Sequence, residues 1–185
     1  EIAKAAGRRI VHKPYDIRRG MVAIGSTLTK ERTPEHRAYF FGREIKRWSE
    51  QRDAPVISGR PKFHDNDIQL PNCLLIAAQN ENAGVDALAH ALLQAHWRDD
   101  ADLADRETLT GLMKELGLDA AALLDAALTQ PVVSEYEANT DEAIRRSVFG
   151  SPTYFVDGDM FYGQDHLEMV ERALQRPYRG TWPPA

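Results

Sequence analysis

The segment 148–174 constrains this chain most, because it ends a helical pattern and opens a strand directly on a proline. It reads Phe149-Gly150-Ser151-Pro152, then Thr153-Tyr154-Phe155-Val156, Asp157-Gly158 and Met160-Phe161-Tyr162. The first run is aromatic and β-branched, Asp157-Gly158 is a hairpin turn signal, and Met160 begins the returning strand. Proline cannot donate to a strand ladder, so its place at a strand entrance needs a reason. A cis Ser151–Pro152 bond supplies one, turning the chain sharply and freeing the Ser151 N–H and C=O for a ligand. A trans proline at a strand start is the plainer alternative. Asp165 then opens a closing helix through Leu167, Val170 and Leu174.

The rest of the chain is arranged around this segment. Ile2, Ala3 and Ala6 form a short apolar helical stripe that Gly7 stops, and residues 8–15 read as a strand around Ile10 and Val11. Residues 16–33 lack periodicity and hold Gly20 and Gly25, so they read as loop. From Pro34, with Thr33 as its cap, Ala38, Phe41, Ile45 and Trp48 fall on one helical face. A polar connection over 53–70 leads to helices at 71–79 and 85–97, then two more capped by Asp105 and Asp119, and a long one over 131–148. Strand, helical block, hairpin and helix describe a split α/β domain, 1–33 with 149–177, carrying an all-helical insertion, 34–148.

Composition excludes several classes. At 185 residues and 43% apolar content the chain has enough material for a real core. A net charge of −5 is the wrong sign for a nucleic-acid footprint. No run approaches the roughly 20 apolar residues of a membrane span. The single cysteine, Cys73, fits a reducing, cytoplasmic setting and reads as a core residue of an apolar helix.

The loop and hairpin resemble those of thioredoxin-fold proteins, which place a cis-proline before the strand facing the active-site helix. Gly-x-Pro-Thr, Val-Asp-Gly and a short second strand resemble the DsbA-like group with a helical insertion. Phe161-Tyr162-Gly163-Gln164-Asp165-His166-Leu167 resembles the signature of 2-hydroxychromene-2-carboxylate isomerases and the related kappa-class glutathione transferases. The runs 33–40 and 95–98 resemble the isomerase branch as well.

The resemblance implies glutathione as co-substrate, with the residue before cis-proline, here Ser151, pairing with its cysteinyl part beside Pro152. Gln164 and Asp165 would bind the γ-glutamyl end, whose ammonium and carboxylate sit on one carbon. Asp165 followed by Glu168 also fits a capping box, and the two roles are compatible. The family's asparagine and lysine near glutathione have no direct match; Ser26 or Thr27, Lys30 and, by alignment on Pro34 and Tyr39, His36 are the nearest positions. The serine that stabilises the glutathione thiolate is expected upstream of Glu1, so no catalytic residue is named within the chain.

Among the remaining polar residues, His64 reads as a polar loop residue at a domain junction, with acid/base, metal and cleft-lining roles as alternatives. His90 and His96 read as packing residues, and the acidic run at 99–102 as a solvated helix junction.

The resemblance implies an isomerase of aromatic degradation. Glutathione thiolate adds to a hydroxychromene carboxylate, a bond rotates, and the thiol leaves, with no metal involved. The helical block would close over the small aromatic substrate, and homodimers are common in that family. A kappa-like glutathione transferase, a DsbA-like thiol–disulfide oxidoreductase and a non-catalytic glutathione-binding module are the alternatives.

Overall fold

The computed structural model describes residues 1–25, 31–180 and 182–183. In chain order it contains α1 (Ile2–Ala5), α2 (Ile17–Ala23), α3 (Pro34–Tyr39), a π-helical turn (Phe40–Glu44) and α4 (Ile45–Arg52). Then come α5 (Gln69–Asn80), α6 (Val85–Trp97), α7 (Arg106–Glu115), α8 (Ala120–Ala127) and α9 (Gln130–Arg145). The chain closes with β1 (Thr153–Val156), β2 (Asp159–Tyr162), a 3-10 turn (Gln164–His166) and α10 (Leu167–Gln175).

The larger core lies among α5 to α9. Leu74, Ile76, Leu88, Leu109 and Met113 are wholly buried there, with Leu124 beside them. Each such side chain contributes about 1.5–3 kcal/mol through burial alone. Asp105 and Asp119 start α7 and α8 as the sequence suggests, accepting from the backbone N–H of Thr108 and Ala122. A second, smaller core joins the hairpin to α10 through Phe161, Val170 and Ala173, flanked by Tyr154, Val156 and Tyr178. The strands pair antiparallel, Thr153 opposite Tyr162 and Val156 opposite Asp159. Asp157 and Gly158 both have positive φ, which is what a two-residue hairpin turn requires.

Several expectations change. Residues 8–15 are extended but pair with no strand among the described residues. The Gln79 side chain from α5 takes the place of a ladder rung: it accepts from the His12 N–H at 2.7 Å and donates to the His12 carbonyl at 3.0 Å. Residues 17–23 are helix, not loop, because Asp16 caps them by accepting from the N–H of Arg18 and Arg19. Gly20, which suggested a loop, is buried where a Cβ would sit 3.2 Å from the Tyr15 ring. The stripe from Ala38 to Trp48 buries only Phe41, since the π turn adds a residue and rotates its neighbours off the common face. The acidic run is a clamp: Asp100 accepts from the Lys62 N–H at 2.7 Å and Asp102 from the Asn66 side chain at 2.8 Å.

Candidate functional site

The site begins at the loop between α9 and β1. The Ser151–Pro152 peptide is cis. The carbonyl of Gly150, just before it, accepts from Thr153 Oγ1 at 2.7 Å and from the Tyr15 hydroxyl at 3.1 Å. Gly150 is itself buried, and a Cβ there would run into the Tyr162 ring, within 2.8 Å of Cζ. Two hydrogen bonds and one ring therefore fix the residue preceding Ser151. No hydrogen bond within the described residues engages the N–H or C=O of Ser151, and both Ser151 and Pro152 are exposed. Burial pushes the Tyr15 hydroxyl up to about 12, with Tyr162 adding to the effect, so Tyr15 stays a neutral donor at any working pH.

The turn after β2 meets this loop directly. Gly163 donates its N–H to the Pro152 carbonyl at 2.9 Å. Its φ of +100° is open to glycine and strained for other residues, and a Cβ there would collide with the Asp165 carboxylate. Asp165 therefore folds back over Gly163. It stands inside a 3-10 turn and makes no side-chain cap to a backbone N–H, so the expected capping box does not form. The start of α10 lacks any side-chain cap, leaving its N-terminal end open to an anion. Gln164 is half-buried beside Asp165, whose carboxylate lies 3.4 Å from His166 Nδ1.

The sequence candidates thus separate. Ser151, Pro152, Gln164 and Asp165 belong to two segments joined by one hydrogen bond. His36 does not join them: it lies exposed on α3, its N–H bonded to Thr33 Oγ1 and its ring 3.4 Å from Arg32. Ser26, Thr27 and Lys30 lie outside the described residues.

A feature that sequence reasoning missed is the His64–His96 pair. His64 Nδ1 and His96 Nε2 are hydrogen-bonded at 2.9 Å, ringed by Phe41 and Trp97. Burial, then His96 and Arg60, push His64 down to about 4, and burial lowers His96 as well, so the pair is neutral at pH 7. Arg18 donates to the carbonyls of His64 and Asn66 at 2.9 and 2.8 Å, which ties this loop to α2. His90, read as a packing residue, is exposed. Cys73 is buried in α5 and its thiol is pushed up to about 11, chiefly by burial, which keeps it unreactive. Among the described residues no group of three or more His, Cys, Asp and Glu could hold a metal, and no helix is long and apolar enough to cross a membrane.

A two-stranded hairpin behind a cis-proline loop, backed by a closing helix and set against a helical block, defines a thioredoxin-like protein. The chain belongs to the DsbA-like thioredoxin domain family, whose model matches residues 1–175. It is 27% identical over 174 residues to a 2-hydroxychromene-2-carboxylate isomerase of Sphingobium xenophagum, covering 94% of this chain and 87% of that protein. A protein of the same name from Pseudomonas sp. (strain C18) is 27% identical over 175 residues, covering 94% and 80%. Among solved structures, a 2-hydroxychromene-2-carboxylate isomerase superposes with a TM-score of 0.77 at 24% identity, over 95% of this chain and 84% of that one. The cytosolic disulfide reductase DsbM of Pseudomonas aeruginosa superposes with a TM-score of 0.52 at 18% identity, over 87% and 86%.

Proposed function

We propose that this chain is a glutathione-dependent cis–trans isomerase acting on a 2-hydroxychromene-2-carboxylate-like intermediate of aromatic degradation. The isomerase part draws on the relatives of that name, matched along 94% of the chain. The observation that carries the glutathione part is the bond from Gly163 to Pro152, which joins the loop bearing Ser151 to the turn bearing Asp165.

The residues present suit that tripeptide. The unengaged N–H and C=O of Ser151 match the donor and acceptor of an extended peptide, as in strand addition. The Asp165 carboxylate, committed to no cap, pairs with the γ-glutamyl ammonium. Gln164 and the open N-terminal end of α10 take the neighbouring carboxylate. When bound, glutathione supplies a thiol nucleophile that adds to the substrate reversibly and so permits rotation about a former double bond. The role of the chain is to hold the peptide extended and its charged end fixed. In this reading the block 34–148 covers the aromatic substrate.

The direct test follows 2-hydroxychromene-2-carboxylate isomerisation by ultraviolet absorbance, with and without glutathione. Acceleration only with glutathione supports the proposal. Acceleration without it removes the cofactor, and no acceleration in either case removes the isomerase.

A further inference from the structure

Next to the Gly163–Asp165 turn lies a hollow of about 390 Å³ walled by Phe149, Met160, Tyr162, His166, Met169 and Tyr178. A larger one, about 610 Å³, is bounded by a single face of α7 between Arg106 and Lys114, where no groups converge from different elements.

The smaller hollow has the walls of an aromatic site. Phe149 and Tyr162 stand with ring centroids 4.7 Å apart, and Met160 and Met169 add polarisable thioethers that adapt to a flat ring. Tyr178 is held in place by the Arg172 guanidinium, 3.6 Å above its ring. Phe149, Tyr162 and Met169 are 41%, 43% and 47% exposed, so large apolar side chains are gathered here facing solvent.

One polar atom gives the hollow selectivity. His166 Nδ1 lies 2.6 Å from the Tyr162 carbonyl and 3.4 Å from the Asp165 carboxylate. Both oxygens only accept, so Nδ1 carries the hydrogen. In the neutral ring Nε2 is then a lone-pair acceptor, and it has no partner among the described residues. A ligand gains from it by presenting a donor.

We propose that this hollow binds the phenolic ring of an aromatic ligand, with the phenol hydroxyl donating to His166 Nε2. None of the residues that wall it belongs to the block 34–148 that covers the substrate in the function proposed above, so the hollow is a separate phenol site and does not need glutathione.

The probes are 2-naphthol and its methyl ether, which share a ring system and differ in the donor, titrated by fluorescence. The protein is expected to bind 2-naphthol about 5- to 10-fold more tightly than the ether, the worth of one net hydrogen bond. His166→Phe should equalise the two, and Met169→Trp, which fills the hollow from an exposed position, should abolish both. Equal affinity of the protein for the two probes, binding of neither, or a preference that survives both substitutions overturns the proposal. Loss of glutathione binding with the naphthol preference intact would instead defeat the glutathione reading alone.

Discussion

The Tyr15 hydroxyl donates to the Gly150 carbonyl at 3.1 Å across 135 positions of sequence. This bond ties the extended N-terminal segment to the proline loop, and Asp16 continues the tie by donating its N–H to Thr140 Oγ1 on α9 at 3.0 Å. Two residues on, Arg18 reaches the loop carrying His64. One short stretch of chain, residues 15–18, thus spans from the candidate glutathione site to the wall of the helical block.

Tyr15→Phe removes that donor while keeping the ring that packs on Gly20. One buried hydrogen bond is worth about 0.5–1.5 kcal/mol, more when the partner is left unsatisfied; here Thr153 Oγ1 still bonds the Gly150 carbonyl. The variant should lose about 1 kcal/mol of stability in urea unfolding and bind glutathione about 3- to 10-fold more weakly. Unchanged affinity would show that the anchor does not shape the site.

Gly150→Ala places a methyl group inside the Tyr162 ring. The ring must swing toward solvent, at a cost of about 1–3 kcal/mol for overpacking. Gly163→Ala adds a strained positive φ and a collision with the Asp165 carboxylate, costing about 1–3 kcal/mol. Thermal unfolding should rank both below the wild type. Gly7→Ala also meets a positive φ, +65°, but has open space around it, so it should lose only the backbone share.

Asp165→Ala separates binding from capping. Asp105 accepts two hydrogen bonds from Thr108 at the start of α7, so Asp105→Ala should cost about 1 kcal/mol. Asp165 caps nothing, and its replacement should change stability by less than about 0.5 kcal/mol. Urea denaturation of the two variants checks this. Equal losses would mean that Asp165 does cap its helix.

The His64–His96 pair sets a pH dependence whose sign is fixed. His64 titrates at about 4 in the fold and at about 6.5 when unfolded, so between those values the unfolded chain binds more protons. The contribution of His64 to stability is therefore fully present above about pH 6.5 and is lost as pH drops toward 4. Arg18 and Arg60 face the pair and reinforce the shift, while Asp65 and Asp100 oppose it. Chemical denaturation from pH 7 to pH 4.5 should show a shallower decline in His64→Gln and in His96→Gln than in the wild type. Parallel curves would contradict the assignment.

The hairpin and the helices at 85–97 and after Asp105 and Asp119 were legible because turn dipeptides, caps and apolar periodicity act within a few residues. The helix at 17–23 was hidden because Gly20 looks like a breaker until the Tyr15 ring is placed against it. The strand expected at 8–15 lacks a strand partner among the described residues, and a glutamine side chain pairing with the backbone leaves no sequence signature. Of the site, the residue types around Ser151 and Asp165 were visible in the sequence. The bond from Gly163 to Pro152 was not, nor was the approach of His64 to His96, because both are matters of tertiary distance.

The central claim is that the Ser151–Pro152 loop and the Gly163–Asp165 turn together hold glutathione. Calorimetric titration of glutathione into the protein and into Asp165→Ala tests it most directly. The account predicts saturable binding to the protein, weakened at least about tenfold in the variant, the scale of a lost charge-assisted pair. No heat of binding to the protein, or equal affinity in the variant, would contradict it.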